Sequence, residues 1–516
     1  MKPFALKPDE ETAPAHRAGV LLPLPLSGAY DYAAEEKLPR GTIVAAPLGP
    51  REYLACVWND GDGKVPAEKL KPLEQLDGNP RLPEPLCDFI DWVARYTLSP
   101  PGQVLALALR VPAAFEEEVP RIAFVRGSET PKKMTDARAR VLALCEDGLA
   151  RRVSDYAAEA NVTPAVVRGL IDCGALVETE LPEFARFRIP DPDFAQPVLN
   201  AEQQKAANAM VQDVRVGAFA AHLLDGVTGS GKTETYFEAV AEALKRGKQA
   251  LILLPEIALT VQFLDRFAER FGCRPAEWHS DLSQKERKRT YRAVMNGEAR
   301  VIVGARSALF LPFKELGLII ADEEHEQAYK QEEGVIYHAR DMAVVRARLE
   351  NCPVVLSSAT PSIESYVNAE SGRYQWLRLR ERHGVAEMPQ IKVIDLRNEK
   401  VEAGTWLSQP LREALAVALG SGEQAMLFLN RRGYAPLTLC QSCGHKMVCR
   451  NCSTWLVEHR YHKRLTCHHC GFDMPTPKNC PECQAENSLI ACGPGVERVA
   501  EEFASVFPQA RMAIAS

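Results

Sequence analysis

The sequence lacks long apolar runs, repeats, low-complexity tracts and any large excess of charge of one sign. None of the apolar stretches in its 516 residues approaches the ~18 residues that a membrane-spanning helix needs. Acidic residues at positions 9–11 stand where a signal peptide would have its apolar core. We therefore expect a soluble, cytoplasmic protein with no membrane partner.

The charge and composition indicate a folded chain of several domains. The net charge is −6, from 62 Lys and Arg against 68 Asp and Glu. Because no basic field covers the whole chain, any surface for nucleic acid must be local. Hydrophobic residues make up 46% and charged residues 25%, which excludes an intrinsically disordered or collagen-like chain. At ~150 residues per domain, the length predicts roughly three and a half domains.

Cysteine is abundant and unevenly placed, with eight of the fifteen cysteines between positions 440 and 483. In a cytosolic chain, such clustering favours metal over disulfides. The eight form four CxxC pairs: Cys440 and Cys443, Cys449 and Cys452, Cys467 and Cys470, and Cys480 and Cys483. Two such pairs complete a tetrahedral site, so the cluster predicts two structural Zn²⁺ ions with no ligand position left open for catalysis.

Spacing alone leaves the pairing of the CxxC units open. Disulfides and an iron–sulfur cluster are the less favoured alternatives. Histidines in the same window offer a further ligand, namely His445, His459, His462, His468 and His469. The window also holds six basic and three acidic residues. That balance favours a local positive face for DNA or a protein partner, with an ordinary solvated surface as the alternative.

The first third of the chain predicts two small domains. Residues 1–112 are rich in proline and turn residues, with strands expected at Gly41–Gly49 and Tyr53–Trp58 and a helix at Cys87–Tyr96. Residues 130–182 carry a helix-turn-helix pattern, for which a generic three-helix unit is the alternative. Its expected elements are helices at Asp136–Glu146, Val153–Ala160 and Pro164–Asp172, the last capped by Thr163, and a wing strand at Ala175–Glu180.

From Leu199 onward, short apolar runs alternate with helical segments, which is typical of a parallel α/β sheet. The predicted strands are Ala221–Leu224, Ala250–Leu254, Val301–Val303, Leu318–Ala321 and Pro353–Ser357. A second α/β region is expected to begin near Leu411, with a strand at Gln424–Leu429. The cysteine cluster interrupts this second region, which resumes at Ser488.

A phosphate-binding loop is predicted between the first of these strands and a helix at Glu234–Lys245. The segment matches GxxxxGK[ST] at every fixed position and consists of Gly226, Val227, Thr228, Gly229, Ser230, Gly231, Lys232 and Thr233. Backbone N–H groups of such a loop close around phosphate oxygens at a helix N-terminus. Lys232 would reach the β- and γ-phosphates of ATP, and the Thr233 hydroxyl would hold Mg²⁺.

An acidic cluster, Asp322-Glu-Glu-His325, follows an apolar run about ninety residues after this loop. Asp322 suits coordination of Mg²⁺, and Glu323 suits polarisation of the attacking water. An acidic cluster after a strand is otherwise an ordinary solvated loop. The phosphate-binding loop upstream favours the functional interpretation.

These motifs, with Ser358-Ala-Thr360 after them, resemble those of superfamily two helicases. The wider set resembles the PriA family of bacterial replication-restart helicases from about residue 17 to the end of the chain. It comprises GVTGSGKTE (226–234), LLPEIALT (253–260), GARSALFLPF (304–313), DEEH (322–325), YKQEEGVIYHARD (329–341), SSATPS (357–362) and FLNRRGYAP (428–436). Two positions depart from the family pattern: Ala305 replaces a usual threonine, and Ser357 replaces a usual glycine.

The resemblance implies RecA-like P-loop helicase lobes and a division of the chain. The implied parts are a domain that binds the 3′ end of DNA (1–112), a winged helix (130–182), an ATP-binding lobe (198–375), the start of a second lobe (376–437), a zinc module (438–486) and the resumed second lobe (487–516). The family's later motifs and C-terminal domain do not follow. We therefore expect an incomplete second lobe, and weak or no unwinding by this chain alone.

The resemblance also implies roles for individual residues. Gln203 would sense adenine, and Ser358 and Thr360 would couple hydrolysis to strand movement. The segment Tyr329–Asp341 would link DNA contact to the ATP site, with ordinary loop packing as the alternative for its aromatic residues. The zinc pairing would be nested, with the first and fourth CxxC units on one ion and the second and third on the other.

In the N-terminal domain, the resemblance implies a pocket for the 3′-terminal nucleotide. Tyr30 would stack on the terminal base and Asp31 would hydrogen-bond to its edge, while Lys71 and the backbone near Gly41 would complete the pocket. Turn chemistry in a β-domain is the alternative explanation for Tyr30-Asp-Tyr32.

The resulting hypothesis is an ATP-dependent DNA helicase of 3′→5′ polarity that recognises arrested replication forks and starts replication restart by assembling the primosome. Its partners would be forked and single-stranded DNA, single-stranded DNA-binding protein, the replicative helicase and its loader proteins. Its cofactors would be ATP, Mg²⁺ and two Zn²⁺ per chain. Two alternatives remain: a fork-binding scaffold with a dispensable ATPase, and a translocase on duplex DNA.

Overall fold

A computed structural model of the protein describes residues 16–255, 261–382, 390–395, 405–429, 437–440, 442–452, 454–459, 464–467, 469–492 and 496–514. The chain forms two compact units, residues 1–387 and 388–516. Parts of three predicted motif segments, 256–260, 430–436 and 493–495, lie outside the described residues. Within the described part, no helix is long and apolar enough to cross a membrane.

The N-terminal region is a five-stranded antiparallel sheet followed by two helices. The strands are β1 (His16–Leu21), β2 (Tyr30–Ala34), β3 (Ile43–Leu48), β4 (Arg51–Asn59) and β5 (Glu74–Gln75), and the helices are α1 (Glu84–Thr97) and α2 (Pro101–Ala108). The strand order is β2-β1-β4-β3-β5. Both predicted strands and the predicted helix are present, each with slightly different bounds.

Helix α1 joins this region to the next large domain of the same unit. Phe89, Ile90 and Val93 recur at helical spacing and are fully buried. The ring of Phe89 lies 5.2 Å from that of Phe310, and the guanidinium of the buried Arg346 lies 5.5 Å from the centroid of the Phe89 ring. The N-terminal helices and the parallel-sheet domain therefore share one hydrophobic core.

A winged-helix arrangement follows. It contains β6 (Arg121–Arg126), α3 (Asp136–Leu144), α4 (Val153–Glu159), α5 (Pro164–Ile171) and β7 (Leu176–Leu181). Thr163 is the N-cap of α5, although its side chain makes no capping hydrogen bond. The sequence prediction began this domain at 130 and missed β6, because β6 pairs antiparallel with β7, fifty residues further along the chain.

The parallel-sheet domain has fifteen elements in the described residues. They are α6 (Ala201–Val216), β8 (Ala221–Gly226), α7 (Lys232–Lys245), β9 (Gln249–Leu253), α8 (Val261–Phe271), β10 (Ala276–Trp278), α9 (Gln284–Asn296), β11 (Val301–Gly304), β12 (Leu316–Asp322), β13 (Lys330–Gln331), β14 (Tyr337–His338), α10 (Ala339–Glu350), β15 (Val354–Ser358), α11 (Ile363–Glu370) and β16 (Gln375–Leu379).

Seven of its strands form one parallel sheet in the order β10-β11-β9-β12-β15-β8-β16. All five predicted strands are confirmed. Strand β10 was missed because it has only three residues. Strand β16 extends the lobe to Leu379, past the predicted boundary at 375, because it pairs with β8 along the sheet edge.

The described residues of the second unit form two helices and a small cysteine-rich module. Its elements are α12 (Gln409–Gly420), β17 (Leu437–Cys440), β18 (Val457–His459), β19 (Arg464–Thr466), β20 (Asp473–Pro475), β21 (Leu489–Cys492) and α13 (Val496–Val506). Strands β17 and β21 pair antiparallel, and β18, β19 and β20 form a three-stranded sheet.

The predicted strand at Gln424–Leu429 is wrong. These residues form no strand, and the side chains of Met426 and Phe428 are largely exposed. A strand exists only where a neighbour supplies its hydrogen-bonding partners. Among the described residues, none pairs with this segment.

Candidate nucleotide site and zinc module

The phosphate-binding loop joins β8 to α7 at the carboxyl edge of the parallel sheet. Gly229 and Gly231 adopt φ values of 80° and 75°, a left-handed conformation that favours glycine. A Cβ on Gly231 would collide with the side chain of Gln203. The ammonium of Lys232 is buried and donates a hydrogen bond to the carbonyl oxygen of Gly226 at 2.9 Å. The lysine is thus held close to the backbone of its own loop. Phosphate oxygens in the loop would be charged acceptors and would bind the ammonium more strongly than this carbonyl oxygen does.

Gln203 is buried against this loop, on the first turn of α6. Its backbone and side chain form a reciprocal capping box with Asn200, with distances of 2.8 and 2.9 Å. Its side-chain Nε2 donates to the carbonyl oxygen of Ser230 at 2.8 Å. Both ends of the Gln203 amide are therefore engaged with the protein, while its implied contact with adenine stays a prediction.

The two acidic candidates stand at the end of β12, in the middle of the sheet. Asp322 is buried, whereas the side chain of Glu323 is partly exposed. Burial and the neighbouring charge of Asp322 raise the pKa of Glu323. Glu323 also adopts a φ of 48°, which is uncommon for a residue other than glycine. A carboxylate with a raised pKa in a tight turn is a suitable general base.

The DEEH and SSATPS segments are hydrogen-bonded to each other. His325 Nδ1 lies 2.8 Å from Ser358 Oγ. Glu324 is fully buried and accepts hydrogen bonds from Ser362 N at 2.7 Å, Ser362 Oγ at 3.0 Å and Ser365 Oγ at 2.9 Å. Sequence reasoning missed Glu324, because its burial depends on strands that are distant in sequence. The one available signal was its place in a three-residue acidic run directly after a buried strand.

The aromatic residues of the segment 329–341, which the resemblance placed between DNA contact and the ATP site, are packed inside the lobe. Tyr329 is buried, and its hydroxyl lies 2.9 Å from the carbonyl oxygen of Leu253 and 2.6 Å from that of Asp322. Tyr337 is buried as well, with its ring 5.6 Å from that of Phe310. Packing therefore accounts for both tyrosines in this structure, and Ile336 is the exposed large apolar side chain of the segment.

The eight clustered cysteines lie in two groups of four. One group is Cys440, Cys443, Cys480 and Cys483, and the other is Cys449, Cys452, Cys467 and Cys470. These are the nested sets that the family resemblance implied. Within each group, all Sγ atoms lie within 4.8 Å of one another.

The sulfur distances distinguish the possible explanations of the cluster. Neighbouring Sγ atoms are separated by 3.6 and 3.7 Å in the first group and by 3.5 and 3.3 Å in the second. A tetrahedral site with Zn–S bonds of ~2.3 Å needs about 3.8 Å between sulfurs, whereas a disulfide has about 2.05 Å. The donor set and its spacing fit two zinc ions, so the disulfide alternative fails.

The four residues of the proposed 3′-end pocket lie on strand β2 and on loops that bond to the N-terminal sheet through their backbone. Tyr30 is exposed at the start of the edge strand β2. The Asp31 carboxylate is paired with Arg17 and accepts hydrogen bonds from the backbone N–H groups of residues 62 and 63. Lys71 borders the other end of β2, where its carbonyl oxygen accepts from Ala33 N. Gly41 stands just before β3, and its backbone forms hydrogen bonds with residues 57 and 82.

The folded lobe and its motifs define a class of protein: a P-loop helicase with a DNA-binding region and a zinc module. The DEAD/DEAH box helicase model matches residues 200–368. The model of the 3′ DNA-binding domain matches residues 19–110. The model of the cysteine-rich region of PriA DNA helicase matches residues 449–475.

Curated relatives give the family. The replication restart protein PriA of Rickettsia felis is 46% identical over 503 residues, which is 97% of this chain and 66% of the relative. That of Chlamydia pneumoniae is 35% identical over 521 residues, which is 96% of this chain and 69% of the relative. The chain belongs to the PriA family of replication restart proteins, and it spans about two thirds of the length of these relatives.

Among solved structures, RecG bound to a three-way DNA junction is similar to 38% of this chain and 25% of its own, with 22% identity and a TM-score of 0.30. A likeness this low carries no argument about the present chain. The family assignment rests on the sequence matches.

Proposed function

We propose that this chain carries the DNA-binding and ATP-hydrolysing parts of a 3′→5′ DNA helicase that recognises arrested replication forks and starts replication restart. The observation that supports the proposal best is the meeting of three motifs at one edge of the sheet. Lys232 follows β8, Asp322 ends β12 and Ser358 ends β15, and these three strands lie side by side. Ligands of open α/β sheets bind at this carboxyl edge.

In the proposed ATP site, the loop 226–233 would bind the phosphates and Lys232 would neutralise their charge. Thr233 and Asp322 would hold Mg²⁺, because hydroxyl and carboxylate oxygens are the ligands that this ion prefers. Glu323 would orient and deprotonate the attacking water, and its raised pKa supports that role. Gln203 would contact adenine after its amide leaves the carbonyl oxygen of Ser230.

The N-terminal region would bind the 3′ end of a nascent strand, with Tyr30 as a stacking platform. The exposure of Tyr30 supports this role. Asp31 would hydrogen-bond to the edge of the terminal base, and Lys71 and the backbone near Gly41 would complete the pocket. The remaining proposed partners are single-stranded DNA-binding protein, the replicative helicase and its loader proteins, in the cytoplasm.

The proposal is tested by the rate of ATP hydrolysis with and without DNA. Wild-type chain and Glu323→Gln are compared on forks whose nascent 3′ end is free or blocked. We expect DNA to stimulate hydrolysis by the wild type, with a free 3′ end preferred, and we expect Glu323→Gln to lose about 10²- to 10⁴-fold in rate. Equal hydrolysis by both proteins would contradict the role of Glu323, and stimulation by duplex DNA alone would favour a duplex translocase.

The same comparison, with the glutamate equivalent to Glu323 changed to glutamine, is made in the full-length PriA of Rickettsia felis. Strand displacement on substrates with single 3′ or 5′ tails then tests polarity. Displacement only on substrates that require 5′→3′ movement would overturn the proposed direction. Loading of a replicative helicase by a Lys232→Ala protein would instead favour a fork-binding scaffold.

A further inference from the structure

Two buried hydroxyl groups near the phosphate-binding loop donate hydrogen bonds to one carboxylate, that of Asp322. The phenol of Tyr236 donates a hydrogen bond to Oδ2 of Asp322 at 2.8 Å. The hydroxyl of Ser357 donates to Oδ1 of the same carboxylate at 2.8 Å. The donors come from different elements, helix α7 and strand β15, and both are fully buried. Each oxygen of Asp322 is therefore held by a separate part of the lobe.

Tyr236 also stands next to the other oxygen ligand proposed above. Thr233 lies three residues earlier on α7, on the same helix face. Tyr236 thus donates a hydrogen bond to Asp322 at the end of β12 and stands one helical turn from Thr233.

Such contacts matter because a metal ligand needs a fixed direction. A hydroxyl coordinates a cation through an oxygen lone pair, so its own proton must point to another acceptor. The Asp322 carboxylate cannot rotate freely, because Oδ2 accepts from Tyr236 and Oδ1 accepts from both Ser357 and the backbone N–H of Glu323, the latter at 3.0 Å. Partners of this kind typically change metal affinity 10- to 100-fold when they are removed.

We propose that Tyr236 and Ser357 are positioning residues for the divalent cation at Thr233 and Asp322. The inference deepens the proposed ATPase and rests on it. The two proposed ligands, Thr233 and Asp322, support Mg²⁺, because both offer oxygen atoms and neither is a thiolate or imidazole. Ser357 occupies a position where the helicase motif usually has glycine, so this chain adds a hydrogen bond that the usual motif lacks.

The main variant is Tyr236→Phe, which removes one hydroxyl and keeps the ring. The matched control is Tyr291→Phe in the same lobe. Tyr291 is also fully buried, but its hydroxyl donates to the carbonyl oxygen of Ala108 at 3.0 Å, in the core shared with the N-terminal helices. Comparing the two separates the effect on the cation from the general cost of losing a buried hydroxyl. Ser357→Ala tests the second oxygen from an independent strand.

The measurement is the affinity of the chain for ADP, by calorimetry, at a series of Mg²⁺ concentrations and in EDTA. For Tyr236→Phe we expect the affinity for ADP in EDTA to equal that of the wild type. We expect the Mg²⁺ concentration that gives half of the maximal increase in ADP affinity to be 10- to 100-fold higher than for the wild type. For Ser357→Ala we expect a smaller shift, and for Tyr291→Phe none. Thermal unfolding of each variant verifies that the lobe is folded.

The outcomes separate the two levels of the hypothesis. In one outcome, the wild-type chain binds ADP more tightly with Mg²⁺, and the Tyr236→Phe and Ser357→Ala variants respond to Mg²⁺ as the wild type does. That outcome would overturn the positioning roles and leave the nucleotide site standing. A wild-type chain that does not bind ADP would overturn the nucleotide site and this inference with it. Should Tyr236→Phe fail to fold, the result for Ser357→Ala decides.

Discussion

The helicase lobe and the zinc module hold their functional groups in opposite ways. In the lobe, Lys232, Asp322 and Ser358 stand at or just after the ends of three strands spread over more than a hundred residues, and two large buried clusters hold those strands in place. In the module, eight cysteines come from one short window, and the hydrophobic cluster among its described residues has five buried members, two of them zinc-site cysteines. The lobe therefore derives its geometry from packing, whereas the module must derive much of its geometry from metal.

The largest expected difference between the two regions is their response to zinc removal. Binding of structural zinc is worth about 10–16 kcal/mol, and the small core of the module cannot replace it. Treatment with a strong chelator should release two zinc ions per chain and unfold the module, while the parallel sheet of the lobe remains. Metal analysis and hydrogen exchange of separate peptides measure this. Retention of protection in the module after complete zinc loss would show that packing suffices there.

The next largest difference concerns core truncations. Phe267 is fully buried among other aromatic rings of the lobe, so Phe267→Ala should cost about 3–5 kcal/mol and lower the unfolding temperature of the lobe. Leu465→Ala in the module should leave two zinc ions bound. Urea unfolding and zinc content of both variants test the contrast. Loss of zinc from Phe267→Ala, with an unaltered lobe, would contradict it.

The smallest expected effect is on the surface of the module. The Lys446 ammonium lies 5.0 Å from the ring centroid of Trp455, which is half-exposed. Such an exposed cation–π contact is worth about 0.5–1 kcal/mol. Lys446→Ala should therefore change module stability only slightly and leave zinc content at two, as measured by competition with a zinc chelator. A loss of either ion would show that Lys446 supports the metal cage.

The sequence predicted the parts of the site that are written in local patterns. The loop 226–233, the acids after β12 and the four CxxC pairs are each contiguous, and the structure brings their members together. The five central strands were predictable because each is a short buried apolar run. Their parallel order follows from the helices between them.

The remainder depended on contacts between distant residues. Strands β6 and β16 were missed because pairing across the sheet defines them, and the strand expected at 424–429 is absent for want of such pairing among the described residues. The sequence could not show that Tyr329 is buried, or that Glu324 binds the turn before α11. Ser357 looked like a neutral departure from a motif until the structure placed it against Asp322.

The central claim is that the loop 226–233 is an ATP site, and equilibrium binding of ATP to Lys232→Ala tests it most directly. The control is Lys245→Ala, at the far end of the same helix, where the lysine pairs with Asp193 on the surface. Hydrogen bonds to charged groups are worth about 1.5–3 kcal/mol, so we predict a loss of about 10- to 150-fold in ATP affinity for Lys232→Ala and no change for Lys245→Ala. Equal ATP affinity of wild type and Lys232→Ala would contradict the account.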